Sequence, residues 1–434
     1  MDEPKRGARL MSPAIFLFIC LIVLLLLSVP VGFALIISSV LTILLTEIDL
    51  PFNLITQVLL TANDSFPLMA IPFFILAGDI MGKGGISTRL FKVANAFVGH
   101  FTGGFAIATI LTAMFFAAIS GSGPATVAAI GSIMIPEMVK KGYDKPFATA
   151  LVAAAGTIGI VIPPSIPMVI YGVTANVSIG DMFLAGIVPG ILMGVGLIIW
   201  AVLYAKKHKF GKSSKTSWKE RLQAINEGKW ALLMPVVILG GIYGSIFTPT
   251  EAAVVAVIYG FILSMFVYRE MNIKDFFKVT ISSSLTTGTI MIIVAAAAIF
   301  GRILTLEQIP NQIAQVVTSI SDNPLVFLLI INLLFLLIGT FMETIAAIII
   351  MTPILFPLAM GLGIDPIHFG IIMIVNLSLG FITPPLGLNL YVASGISNLK
   401  IEQIVKKIIP AFITLIVVLL IITYVPWISL MFLK

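Results

Sequence analysis

Oxygen-bearing residues and backbone breakers occur together at four places in this chain. Ser120-Gly121-Ser122-Gly123-Pro124-Ala125-Thr126 and Gly339-Thr340-Phe341-Met342-Glu343-Thr344 each precede a short apolar piece. Pro163-Pro164 with Ser165, and Thr383-Pro384-Pro385, each interrupt a long apolar block mid-way. Proline withdraws a backbone donor, and glycine admits torsions and close approaches closed to other residues. Each cluster therefore leaves carbonyl and hydroxyl oxygens unpaired. Such oxygens, with few formal charges among them, suit a hard, desolvated cation such as Na⁺. The helices that restart after the breaks turn their positive N-terminal ends toward the same space, which suits an anion.

Other residues carry chemistry more weakly. Ser165 and Asn389 stand just past the two Pro-Pro pairs and are candidates to line a cavity. Arg302 either holds a ligand carboxylate or reaches for water or an internal partner from its block end. Glu343 either serves a cation or caps the helix it precedes. Glu251 in TPTEAA reads as a helix cap, and Asp144 and Asp365 as helix starts. One Cys and three His give no transition-metal spacing and no Ser-His-Asp arrangement, so neither an enzyme nor a bound cofactor is expected.

The elements that position these residues follow from composition. The 434 residues are 59% hydrophobic and 10% charged, against about 25% charged in a soluble domain. Apolar blocks recur at or above the ~18–20 residues that cross a bilayer as helix. They are continuously apolar rather than alternating, which excludes a β-barrel. The fold class is an all-α polytopic membrane protein of about 11–12 transmembrane helices. The net charge of +6 comes from basic residues in short loops, where they orient a membrane protein rather than bind nucleic acid. Cys20 stands alone, so no intrachain disulfide exists. The run from Met11 to Leu45 is too long for a signal-peptide core and reads as retained helices broken near Pro30.

The chain also repeats itself. A shift of 221 positions carries Pro136 to Pro357, Gly142 to Gly363, Asp144 to Asp365, Gly159 to Gly380 and Pro163-Pro164 to Pro384-Pro385. These residues fix backbone shape, so they mean more than matched apolar positions do. The expected plan is a first repeat over 1–205 with a hairpin at 120–138 and a broken helix at 146–174. A basic cytoplasmic linker follows at 206–229. A second repeat covers 230–434, with a hairpin at 342–360 and a broken helix at 366–395. KKGYDK after the first hairpin is basic and its counterpart MGLGID is not, the signs expected of an inverted copy. Inversion requires an odd number of crossings per half, so one apolar block is not a simple span. The stretches at 269–284 and 305–323 are the suspects. Trp200, Trp218, Trp230 and Trp427 read as membrane-interface anchors.

IPFFILAGDIM (71–81), ISGSGPATVAAIGSIMIPEM (119–138), IPPSIPMVIYG (162–172), FTPTEAA (247–253) and ITPPLGLNLYVASGI (382–396) together resemble the large membrane subunit of TRAP transporters, the tripartite ATP-independent periplasmic carriers. The resemblance spans nearly the whole chain in one order. It implies an elevator-type ion-transporter fold in a bacterial or archaeal inner membrane. It implies Na⁺-coupled uptake of an organic acid, such as a C4-dicarboxylate or a sialic acid, delivered by a periplasmic substrate-binding protein. A small four-helix membrane subunit is the second partner, expected here as a separate chain. In those terms Ser120, Gly121, Ser122 and Pro163, with Gly123 beside them, belong to one Na⁺ site. Gly339, Thr340, Glu343, Thr344 and Thr383, with Pro384 beside them, belong to the other. The alternatives are a stand-alone Na⁺/dicarboxylate symporter and, further off, an ion channel or an intramembrane enzyme.

Overall fold

A computed structural model describes residues 12–46, 50–208, 210, 216–310, 312, 315 and 323–433. Among the described residues every regular element is helical. In the first half these are α1 (Pro13–Leu26), α2 (Val31–Leu45), α3 (Phe52–Thr61), α4 (Ala70–Lys83), α5 (Ile86–Val98), α6 (Gly104–Ser120), α7 (Gly123–Lys140), α8 (Lys145–Ala155), α9 (Ile166–Thr174) and α10 (Ile179–Lys207). In the second half they are α11 (Trp218–Tyr243), α12 (Pro249–Ile262), α13 (Ile273–Leu306), α14 (Pro324–Gly339), α15 (Thr344–Gly361), α16 (Pro366–Gly380), α17 (Leu388–Ser397), α18 (Ile401–Tyr424) and the short α19 (Trp427–Leu430). Seven helical stretches among the described residues are long and apolar enough to cross a membrane. Leu26, Leu60, Leu285 and Ile246 are among many large side chains left exposed, as helices facing hydrocarbon require.

Local chemistry sets the helix ends. Proline stands in the first turn of α1, α7, α8, α9, α12, α14 and α16, where its missing N–H costs nothing. Glu251 is the cap the sequence suggested. Its carboxylate accepts the Thr248 N–H at 2.8 Å, and Thr248 Oγ1 accepts the Glu251 N–H at 3.3 Å. Asp365 caps α16 by accepting from Ile367 and His368 N–H. Asp144 precedes α8 without capping it and pairs instead with Lys407 at 3.1 Å. Trp218, Trp230 and Trp427 are exposed, but Trp200 is buried, its ring 5.2 Å from that of Phe147. Trp200 is therefore core rather than an interface anchor. The linker expected at 206–229 is shorter than it reads, because a Ser217–Glu220 capping box starts α11 at Trp218.

Of the two suspected stretches, one is settled by the structure. The stretch 269–284 contributes the first turns of α13, one 34-residue helix, and 305–323 lies largely outside the described residues. The blocks near 100–119 and 324–341 are instead the descending arms of hairpins. Gly121, with φ +59°, ends α6, and α7 starts at Gly123. Thr109 and Met138, far apart along the chain, meet across the two arms. In the second half α14 ends at Gly339 and α15 restarts at Thr344. Counting each hairpin as no net crossing leaves α1, α2, α4, α8–α9 and α10 as passes in one half. The other half has α11, α12, α13, α16–α17 and α18. Among the described residues both numbers are odd, as an inverted repeat requires.

The halves interleave. Helices α7 and α8 pack on α17, and α9 packs on α15. Asn389 Nδ2 donates to Ala153 O at 3.1 Å, and Tyr171 Oη to Pro366 O at 2.7 Å. Helices α2, α4, α12 and α13 pack together as a separate wall against this centre.

Candidate functional site at the hairpin tips

The first tip is built from backbone. Gly121 turns through the left-handed region, and a Cβ there would lie 2.8 Å from the Pro164 carbonyl oxygen. Only glycine meets both demands. The Ile166 N–H, just past the Pro-Pro break, donates to Gly121 O at 3.4 Å, so hairpin and broken helix are tied. Ser120 Oγ lies 3.0 Å from Thr126 Oγ1, and Ser122 O accepts from Thr126 Oγ1 at 2.8 Å. Ser122 caps α7 through a 3.4 Å bond from the Ala125 N–H. Ser165 does the same for α9, accepting from Met168 N–H and donating to Ile160 O at 2.6 Å.

The second tip repeats the plan with different atoms. The Leu386 N–H donates to Thr340 O at 3.1 Å, again tying tip to break. Gly339 and Gly380 meet backbone to backbone, with no room for a side chain between them. The carboxylate of Glu343 caps α15, accepting from Ile345 N–H at 3.0 Å and Ala346 N–H at 3.2 Å. Thr383 Oγ1 donates to Leu379 O at 2.8 Å. The two breaks differ in surroundings: Pro163 and Pro164 are buried, while Pro384 and Pro385 are exposed.

A cavity of about 390 Å³ lies between the tips. Ser120 to Ala125 line one side, and Glu343, Thr344 and Ile345 another. The wall helices close it with Ile75, Gly78 and Asp79 from α4 and Thr286, Thr289, Ile290 and Ile293 from α13. The first residues of α7, α9, α15 and α17 all border it. The first turns of four helices thus border one space; the positive end of a helix favours an anion where no carboxylate already fills it, as Glu343 does at α15.

Of the sequence-derived candidates, Ser120, Gly121, Ser122, Gly123, Glu343 and Thr344 line this cavity. Pro163, Gly339, Thr340, Thr383 and Pro384 stand behind the tips, in the breaks and turns that hold them. Ser165 and Asn389 are fully buried and bonded to backbone rather than facing the cavity. Arg302 is exposed in a separate groove with Thr174, Gly301, Thr305, Ile349 and Pro353. Sequence reading missed a role for Asp79, which accepts from Ser283 Oγ at 2.6 Å on the cavity wall. It also missed Thr286 and Thr289. Threonines in apolar helices give no local signal, and the wall's partners lie about 200 residues apart in sequence. Among the described residues no group of three or more His, Cys, Asp or Glu stands ready for a metal ion.

Non-helical backbone at membrane depth persists only when buried in protein or lining a cavity, and both conditions hold here. Paired hairpins and broken helices around a shared cavity are the architecture of membrane transporters. The chain belongs to the DctM component of the tripartite ATP-independent periplasmic transporters, whose family model matches residues 18–428. It is 49% identical over 433 residues to the isethionate TRAP transporter permease protein DctMQ of Oleidesulfovibrio alaskensis, covering 100% of this chain and 68% of that one. It is 47% identical over 393 residues to the C4-dicarboxylate TRAP transporter large permease protein DctM of Pseudomonas aeruginosa, covering 91% and 92%. The YdaH transporter of Alcanivorax borkumensis shares the fold, with a TM-score of 0.64 at 16% identity over 96% of this chain and 98% of that one. The protein is a large TRAP permease of the inner membrane, a transporter and not an enzyme.

Proposed function

We propose that this permease couples a Na⁺ gradient to uptake of an organic anion handed over by a periplasmic binding protein, together with a small membrane subunit. The observation that carries this reading is the convergence of four helix N-termini and two oxygen-rich tips on one cavity. The N-termini favour the anion. The tip carbonyls and hydroxyls, with Glu343, favour a hard cation, and a cation bound there offsets the carboxylate and strengthens the anion's hold. That mutual dependence is coupling in its thermodynamic sense. The named substrates of the relatives, isethionate and C4-dicarboxylate, are both organic anions. The interleaved hairpins and broken helices would move as one body against the wall of α2, α4, α12 and α13, an elevator-like cycle.

Uptake into proteoliposomes tests this. The permease and its small partner are reconstituted with labelled organic acids, with and without an inward Na⁺ gradient, and with and without a cognate binding protein. Uptake that needs both is the expected result. Uptake with Na⁺ alone places the protein with stand-alone symporters, and uptake indifferent to Na⁺ removes the cation from the account.

A further inference from the structure

Helix α13 lines three spaces in turn. Val279 and Ser282 border a small pocket that Lys83 and Ser132 share. Thr286, Ile290 and Ile293 border the central cavity. Ala297, Gly301, Arg302 and Thr305 border the groove that Thr174 of α9 and Pro353 of α15 close from the other side. These positions recur every three or four residues and so share one face of one helix. Beside it, α15 gives Ile345 to the cavity and Ile349, about one turn on, to the groove. The groove, of about 320 Å³, thus continues the cavity along the seam between the central body and the wall. Arg302 stands about 14 Å beyond Ile293 at the rise of an α-helix. Its end of the seam faces the periplasm. Lys206 and Lys207 close α10, Lys219 and Arg221 open α11, and Arg269 and Lys274 flank the start of α13. Residues 244–248, between α11 and α12, hold no Lys or Arg. Basic residues favour the cytoplasmic side, so α13 starts there and ends, past Arg302, on the opposite face.

We propose that Arg302 receives the organic anion at the periplasmic mouth of the transport route, at a station distinct from the cavity. The proposal rests on the transport reading above and deepens it. Among the described residues Arg302 is the one charged side chain lining the groove, and none of their ion pairs includes it. The cavity lining contains Asp79 and Glu343 and, among the described residues, no Lys, Arg or His. An acid arriving along this seam therefore meets its basic partner before the cavity, not inside it. A guanidinium offers a planar fork of donors that matches a carboxylate or a sulfonate. The groove has room for the ligand, since a Cβ at Gly301 would meet no atom within 4 Å. When the body slides along α13 toward the periplasm, the hairpin tips approach Arg302 and the anion passes to them. The guanidinium stays on the wall, so it draws the anion in without travelling with it.

Two measurements test this, with the permease and its small membrane partner in proteoliposomes. In a Cys20→Ser background, Thr305→Cys places a thiol in the groove about one turn from Arg302. Its reaction with the anionic 2-sulfonatoethyl methanethiosulfonate is compared with that of the cationic 2-(trimethylammonio)ethyl reagent. Adding Arg302→Gln is expected to lower the ratio of anionic to cationic rate about tenfold, as one nearby charge removed would do. Isethionate or butanedioate is expected to slow labelling only where Arg302 is present. Uptake from a loaded cognate binding protein is then followed. Arg302→Gln is expected to raise the half-saturating concentration about tenfold, the scale of one charge-assisted hydrogen bond. The maximal rate and the half-saturating Na⁺ stay unchanged, and Arg302→Lys recovers most of the loss. Labelling that neither free acid slows overturns the proposal, because Arg302 then serves lipid headgroups or the binding protein rather than the anion. Uptake kinetics unaltered by Arg302→Gln overturn it too and leave coupled transport standing. Absence of Na⁺-dependent uptake of any acid by the unaltered permease removes the transport reading and this proposal with it.

Discussion

At the residue scale, glycines in the first tip answer to different constraints. Gly121 needs both its positive φ and its closeness to Pro164 O. Gly123 has an ordinary helical position, but a Cβ there would lie 2.8 Å from the Phe381 ring. Valine at 121 meets backbone strain of about 1–3 kcal/mol as well as a carbonyl that cannot step aside. Gly121→Val is therefore expected to abolish Na⁺-driven uptake while the protein still inserts and elutes as a single species. Gly123→Ala is also expected to lose uptake, but the obstacle is a side chain. Pairing it with Phe381→Ala should recover part of the rate, whereas the same partner should do nothing for Gly121→Val. Equal rescue of both would show that torsion is not what position 121 requires. The two glycines look alike in Ser-Gly-Ser-Gly-Pro, because a torsion and a neighbouring ring leave the same letter in the sequence.

At the element scale, the hairpins are held by their contacts with the broken helices as well as by the packing of their own arms. Gly380 lies against the backbone of Gly339, so a side chain there pushes α16 from the second tip. Gly380→Val is expected to lose Na⁺-dependent stabilisation and uptake together, measured by thermal unfolding and by flux. Gly240, inside α11, has open space around it. Gly240→Ala is expected to leave uptake intact and to raise stability by up to about 1 kcal/mol, the helix-propensity difference. A loss of uptake in that control would mean that α11 itself takes part in the transport cycle. The hairpins themselves were readable from breaker residues repeated at a fixed shift. Their descending arms were not, because α6 and α14 are as apolar as true spans. Only the turn at Gly121 and the packing of each tip on a break distinguish an arm that returns from a helix that crosses.

At the scale of the whole molecule, transport requires the central body to move against the wall. The two meet closely where α4 passes the first tip: a Cβ at Gly78 would lie 3.3 Å from the Ser120 Cβ. That is near the separation a disulfide spans, about 3.5–4.5 Å between Cβ atoms. The chain has a single cysteine, Cys20, so a Cys20→Ser background is free of competing thiols. Gly78→Cys with Ser120→Cys is expected to cross-link on oxidation, to stop uptake, and to regain it on reduction. Full cross-linking with undiminished uptake would show that sliding at this contact is not part of the cycle.

The sequence alone determined the membrane class, the all-helical fold, the two-half plan and the four oxygen-rich breaks. Each of these is written in local composition or in shape-fixing residues, since hydrocarbon enforces helix and proline and glycine mark where helix stops. The tertiary structure decided which apolar blocks turn back and which residues share the cavity. It withdrew Ser165, Asn389 and Arg302 from the cavity and brought in Asp79, Thr286 and Thr289. It also set the asymmetry between a tip capped by serine and one capped by glutamate. Those outcomes depend on which helix faces meet across long stretches of chain, and in a protein apolar on nearly every face no local pattern records that choice.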